Sequence, residues 1–104
     1  MVTPEEAKSI ALSFEGTDEK PHFNKTAFIV KKKNFATLSF QDKALNLKFT
    51  PQVQMIFCPP QSDVIFAIPN GWGRLGWTTI NLNKATKKLV TSALWEAYKL
   101  RKEK

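Results

Sequence analysis

The chain has 104 residues, of which 42% are hydrophobic and twelve are aromatic, a length and composition that suit one folded domain over residues 1–104. Its net charge is +7, divided unevenly: residues 1–22 carry −3 and the remainder carries +10. The single cysteine, Cys58, excludes an internal disulfide, and no apolar run reaches the roughly 20 residues that span a bilayer.

The first predicted element is a helix that begins after Thr3. Thr3 and Glu6 have the spacing of a capping box, in which each side chain accepts a hydrogen bond from the backbone of the other residue. Pro4 suits the first helical position, and Gly16 supplies a stop.

Three apolar segments follow a polar loop and predict strands. They read AFIV (27–30), NFATLSF (34–40) and ALNLKF (44–49), and the third alternates apolar and polar residues. Short polar connections separate them, so we expect an antiparallel meander. Lys31, Lys32 and Lys33 then lie at the tip of its first hairpin.

The second half of the chain predicts a helix, two strands and a long helix. Thr50 and Pro51 begin a short helix over 50–58, VIFAIP (64–69) and WTTINL (77–82) read as strands, and an amphipathic helix runs from about 84 to 102. Trp95 falls on the lysine-rich side of that helix, either covered by lysine stems or exposed as a contact site. The order α-β-β-β-α-β-β-α predicts an α+β fold with an antiparallel sheet.

The segment GWGRLG (71–76) has the spacing of a nucleotide-phosphate loop. A dinucleotide-binding fingerprint requires a helix after the glycines, whereas WTTINL predicts a strand. A protein-kinase loop is excluded because the chain has no D-F-G or H-R-D triplet, and a Walker loop is excluded because no Gly-Lys-Ser/Thr follows. We therefore expect a connection between strands in which Gly71, Gly73 and Gly76 permit positive φ or close backbone approach. Its flanking rings, Trp72 and Trp77, are expected to pack at the two ends, with Arg74 at the tip.

Catalytic and metal-binding patterns are missing from the sequence. His22 and Cys58 are too few for a structural zinc site, and no G-x-S-x-G elbow is present. His22 is therefore predicted to be a structural hydrogen-bonding group. We expect a cytoplasmic protein that is not an enzyme, with no metal, no cofactor and no membrane association.

Basic residues are concentrated between positions 23 and 50, where the net charge is +5. They are Lys25, Lys31, Lys32, Lys33, Lys43 and Lys48. Lysine is a flexible point charge that suits phosphate attraction more than base reading, so the predicted mode is weak and largely independent of nucleic-acid sequence. The alternative is that these lysines only keep the domain soluble.

Two longer segments resemble the MmcQ/YjbR-like family of small bacterial proteins. They are EKPHFNKTAFIVKKKNFATL (19–38) and PNGWGRLGWTTINL (69–82), and the final ALWEAYKL is similar to the closing helix of that family. The resemblance implies a fold like the type III secretion chaperones. It also implies DNA binding by hairpins that form a double wing, with phosphate contacts from Lys31, Lys32, Lys33 and Lys43. Asn24 and residues 31–33 stand where the family commonly has glycine, and Asn24 can accept left-handed backbone.

Two functional hypotheses follow. In the first, the basic hairpins bind the phosphates of duplex DNA or another polyanion, with Lys25, Lys48 and Arg74 adding to the surface. In the second, the domain is an interaction or chaperone-like module for an acidic protein partner, with Trp72 and Trp95 as contact anchors.

Overall fold

The computed structural model describes residues 1–103; Lys104 lies outside that range. Within it the chain forms four helices: α1 (Pro4–Leu12), α2 (Pro51–Phe57), α3 (Gly71–Arg74) and α4 (Lys87–Lys102). It also forms six strands: β1 (Thr17–His22), β2 (Lys25–Val30), β3 (Lys33–Ser39), β4 (Ala44–Lys48), β5 (Ile65–Ala67) and β6 (Trp77–Asn81). The predicted α+β class is confirmed.

The strands form one antiparallel sheet in the order β1-β2-β3-β4-β6-β5. Strands β1 to β4 follow one another as hairpins, so the meander predicted for residues 27–49 is confirmed. Strand β6 then inserts beside β4 and pairs with β5 on its other side. The register between β2 and β3 shifts at Phe28 and Ile29, where a β-bulge adds to the local twist.

Short polar side chains cap the helix starts. At α1, the Glu6 N–H donates to Thr3 Oγ1 (3.1 Å) and the Thr3 N–H donates to Glu6 Oε1 (3.0 Å), which confirms the predicted capping box. These hydrogen bonds, from the Thr3 backbone first, lower the pKa of the Glu6 carboxyl. At α2 and α4 the bond is one-sided: Thr50 Oγ1 accepts from the Val53 N–H, and Thr86 Oγ1 accepts from the Leu89 N–H.

One face of the sheet packs against α1 and α4 and carries the core. Alternate residues of the inner strands point to this face, and the predicted apolar side of the last helix meets them. The buried residues include Leu38, Leu45, Leu47 and Ile80 from the sheet, and Val90, Ala93, Leu94, Ala97 and Tyr98 from α4. Because both long helices lie on this side, the opposite face of the sheet is left for other contacts.

Residues 17–22 form strand β1, where the sequence predicts a polar loop. The segment TDEKPH has no apolar residue to mark an inward face, and all its residues are exposed or half-buried. It is held by pairing with β2, from Thr17 opposite Val30 to His22 opposite Lys25. The strand is stabilised by backbone hydrogen bonds, which leave no signal in the pattern of apolar and polar side chains, so the prediction of a loop was wrong.

The glycine segment is a connection between strands, as predicted, but it contains the short helix α3. A Cβ atom on Gly73 would lie 1.8 Å from the Ile68 carbonyl oxygen, and one on Gly76 would lie 1.8 Å from the Phe49 carbonyl oxygen. Gly76 also has a φ of +109°. The structural role of these two glycines is confirmed, whereas Gly71 has open space around it and nothing in the structure requires glycine there.

No helix within residues 1–103 is long and apolar enough to cross a membrane.

Candidate functional site

The β2–β3 turn holds two adjacent lysines in the left-handed region of backbone conformation. φ is +51° at Lys31 and +66° at Lys32, and Val30 pairs with Lys33 across the turn. Positive φ at both central residues is typical of a type I′ turn, which usually carries Asn-Gly. A residue with a Cβ is less stable than glycine in this region by about 1–2 kcal/mol. The turn therefore keeps two exposed charges at the expense of stability.

The last turn of α4 adds basic residues beside this hairpin tip. Arg101 Nε donates to the carbonyl oxygen of Asn34 (3.1 Å), the residue that follows Lys33. Lys102 Nζ lies 5.5 Å from the centre of the Tyr98 ring on the same helix. We call Lys31, Lys32, Lys33, Arg101 and Lys102 the turn cluster. Within residues 1–103, none of its five cations forms an ion pair.

The other predicted phosphate contacts lie away from the turn cluster. Lys25 and Lys43 are at the opposite end of the sheet, where the β1–β2 and β3–β4 turns lie, separated from it by the length of β3, about 20 Å. Lys43 also has a positive φ, +53°, as does Phe23 (+59°), whereas Asn24, a residue able to accept left-handed backbone, has no positive φ. The basic hairpins thus form two separate surfaces.

Lys48 and Arg74 belong to the glycine segment. Lys48 Nζ donates to the Leu75 carbonyl oxygen, which ties the end of β4 to the residue after α3. Arg74 is exposed at the last position of α3. Of these two predicted contacts, Lys48 has a structural bond and Arg74 lies on the surface.

The sheet face opposite the core forms an open cleft of about 230 Å³. Residues from both segments that resemble the family, 19–38 and 69–82, line this cleft. Strand β1 borders it on one side and the glycine segment borders it on the other. We call this the sheet cleft. Its walls and floor comprise His22, Lys25, Asn34, Thr37, Asn46, Ile68, Trp72 and Trp77.

Polar side chains form the floor of the sheet cleft. Thr37 pairs with Asn46 across β3 and β4, and Asn46 pairs with Thr79 across β4 and β6. Thr79 Oγ1 donates to Asn46 Oδ1 (2.6 Å), and Asn34 Nδ2 donates to Thr37 Oγ1 (3.4 Å). The Asn34 side-chain oxygen is buried and accepts no hydrogen bond from the described residues. The floor therefore presents a buried acceptor beside a row of hydrogen-bonding groups.

Trp72 lies within the glycine segment and Trp77 directly follows it; both rings were expected to pack at its ends, but only Trp77 is partly covered. Trp77 is half-buried at the start of β6, whereas Trp72 is 62% exposed. Trp72 and Leu75 also line a shallow depression beside Arg74. Gln54 of α2 secures this region, because its Nε2 donates to the Gly73 carbonyl oxygen (2.9 Å). Trp72 is thus an exposed ring on a well-anchored segment.

Trp95 is covered more than exposed. Its ring centroid lies 5.4 Å from those of Phe14 and Tyr98, and Lys99 Nζ lies 5.8 Å from its ring. The remaining exposure of the residue is 43%. The lysine-covered arrangement considered from the sequence describes this geometry better than an open contact site.

The described residues bring together no set of titratable side chains suited to a metal. Among residues 1–103, no group of three or more histidine, cysteine or acidic side chains is close enough to hold an ion. His22 lines the sheet cleft and packs edge-on against Phe23, with ring centroids 5.0 Å apart. Burial raises the pKa of the Cys58 thiol, and a hydrogen bond with Thr78 lowers it by a smaller amount.

Sequence reasoning missed the residues of the cleft floor and the α4 part of the turn cluster. Thr37, Asn46 and Thr79 alternate with core residues on three strands, so their polar row was readable as the outward face of a sheet. Their meeting with Asn34 depended on the bulge between β2 and β3, which the sequence does not mark.

Comparison with known proteins yields a structural and a family match. No curated protein matches the chain. The fold is similar to the crystal structure of Deinococcus radiodurans protein DR2400, which carries the family-model domain DUF419; the TM-score is 0.80 at 20% sequence identity, covering 96% of this chain and 78% of that one. The family model described as YjbR matches residues 12–100, which include both the sheet cleft and most of the turn cluster. The chain belongs to the YjbR family.

Proposed function

We propose that this domain binds nucleic acid, duplex DNA in the first instance, by contacting phosphates with the turn cluster. The observation that carries the proposal is the left-handed backbone at Lys31 and Lys32. Strain of this kind persists mostly where it serves a function. Asparagine and glycine would relieve it, so the retained lysines favour a role for their charge.

Charge distribution supports the same surface. The turn cluster has no ion-paired member among the described residues, whereas Lys8, Lys84 and Lys99 each pair with a carboxylate. Unpaired cations at a hairpin tip attract a polyanion, and no ion pair within the protein has to be broken first. Arg101 is oriented by its bond to Asn34, so one member is already ordered before binding.

The test is a double variant, Lys31→Asn/Lys32→Gly, whose turn residues suit a type I′ turn. It removes two charges while relieving strain, so we expect it to bind duplex DNA more weakly and to unfold at a higher temperature. The slope of log affinity against log salt should fall by about 2, since each phosphate contact contributes roughly 0.9. Fluorescence anisotropy on a labelled duplex over a salt series measures it.

The matched control is Lys87→Ala/Lys88→Ala, which removes the same charge from the exposed first turn of α4. That end of the helix is remote from Arg101 and Lys102. We expect the control to bind almost as the parent does. Equal weakening by both double variants would mean that only net charge matters, and an unchanged salt slope in the turn variant would refute the proposal.

A second candidate function is binding of a protein partner through α2 and α3. Met55 and Ile56 on α2 are 79% and 80% exposed, and Leu75 after α3 is 57% exposed. Met55 and Ile56 are neighbours on one helix, and adjacent exposed apolar side chains are typical of interaction surfaces. If a defined acidic protein partner is found, Met55→Ser/Ile56→Ser should abolish its binding and leave duplex binding intact; a complex that survives this change would exclude the surface.

A further inference from the structure

The walls of the sheet cleft carry aromatic rings that the fold leaves uncovered. Trp72 is 62% exposed on one wall. On the other side His22 lines the cleft, and Phe23 packs against it at the tip of the β1–β2 turn, where it is 94% exposed with a φ of +59°. Exposed rings beside a basic groove are the surfaces on which proteins stack nucleic-acid bases.

The floor offers hydrogen-bonding groups that the fold does not use completely. The buried side-chain oxygen of Asn34 has no donor among the described residues, and folded proteins rarely leave such an acceptor unpaired. The side-chain oxygen of Asn46 already accepts a hydrogen bond from Thr79 Oγ1, so the groups that Asn46 can offer to a ligand are the N–H donors of its amide. An acceptor near a donor matches the edge of a nucleobase, which presents both kinds of group.

The rim supplies positive charge where a sugar-phosphate backbone would leave the cleft. Lys25 lines the wall, and Lys20 lies beside it on β1. Neither lysine forms an ion pair with another residue in the range 1–103. The cleft volume of 230 Å³ is below the roughly 300–1,000 Å³ of sites for drug-sized ligands, which suits one base and excludes a duplex.

We infer that the sheet cleft binds one unpaired base of a single-stranded nucleic acid. The base stacks on Trp72 and hydrogen-bonds with Asn46 and with Asn34, whose buried side-chain oxygen turns toward the cleft to reach the base, while Lys25 contacts the adjacent phosphate. This inference rests on the proposed nucleic-acid binding and adds a preference for unpaired nucleotides. The turn cluster supplies phosphate attraction that duplex and single strand share, and the cleft distinguishes between them.

The experiment compares three labelled probes at about 50 mM salt. They are an oligothymidine of about 12 nucleotides, an abasic sugar-phosphate oligomer of the same length, and a hairpin duplex. We expect the oligothymidine to bind more tightly than the abasic oligomer. Trp72→Ala should weaken oligothymidine binding by about 5- to 150-fold and leave the other two probes unchanged, and Trp72→Phe should restore most of the loss because it keeps a stacking ring. Asn34→Ala should also act on oligothymidine alone.

Trp95→Phe is the control, since this ring lies on the other side of the sheet. Equal binding of oligothymidine and abasic oligomer, or a Trp72→Ala variant that binds as the parent does, would overturn the cleft inference and leave phosphate binding by the turn cluster in place. Failure of the parent to bind any probe would refute the proposed function itself. Competition by thymidine monophosphate at the same nucleotide concentration would assign the cleft to free nucleotides and overturn the inference of strand binding.

Discussion

Replacing Gly76 with alanine tests the structural account of the glycine segment. The added Cβ atom would lie 1.8 Å from the Phe49 carbonyl oxygen, and the backbone there has a φ of +109°. Alanine in a conformation of this kind costs about 1–3 kcal/mol. Moving Phe49 away also endangers the hydrogen bond from its N–H to the Gly76 carbonyl oxygen (3.0 Å), worth about 1 kcal/mol.

The expected loss is therefore about 3 kcal/mol in the free energy of unfolding, a large part of the 5–15 kcal/mol typical of a domain. The melting temperature should fall by roughly 12–24 °C. Urea and thermal unfolding followed by circular dichroism measure both quantities. Gly71→Ala is the matched control, because within residues 1–103 no atom beyond its chain neighbours and its own helix backbone lies within 4 Å of its Cβ position, and it should change stability by less than about 0.5 kcal/mol. Equal stability of the two variants would refute the assignment of close backbone approach to Gly76.

Three further predictions concern single side chains. Gln54→Leu removes the donor shared by Gly73, Trp77 and Thr78 and should cost about 1–3 kcal/mol in urea unfolding, whereas the exposed Gln52→Leu should cost almost nothing. Glu6 has a lowered pKa, so its carboxylate stabilises the fold above the ordinary glutamate pKa of about 4.3, and this effect is lost as pH falls through the lowered pKa. The difference in unfolding free energy between the parent and Glu6→Gln should therefore shrink below about pH 4. Cys58 has a raised pKa, so its alkylation by iodoacetamide should be slower in the folded protein than in urea at pH 8, and equal rates would contradict the partial burial of the thiol.

Local chemistry made much of the fold predictable from the sequence. Thr3, Thr50 and the alternation in ALNLKF act within a few residues of where they stand, so the helix starts and the meander followed directly. Strand β1 did not follow, because it is held by main-chain pairing at the border of the sheet. Helix α3 is only four residues long and was hidden among glycines that have low helix propensity.

The candidate sites were predictable by residue type but not by arrangement. The lysines of the first hairpin were evident, yet their left-handed backbone is set by the two-residue connection between β2 and β3. The sheet cleft joins His22, Asn46 and Trp72, which are far apart in the chain and meet only through the strand order. Periodicity describes neighbours along a segment, and it carries no information about which strands lie side by side.

The strand order also determines what the borders of the sheet offer to another molecule. The outer strands are β1 and β5. β1 contains Pro21, which has no N–H to donate, together with Asp18 and Lys20; β5 has three residues and ends shortly before Pro69. Neither border presents a long row of unpaired amides on which a second chain can add a strand. The same topology that exposes a broad sheet face therefore guards the protein against growth into fibrils.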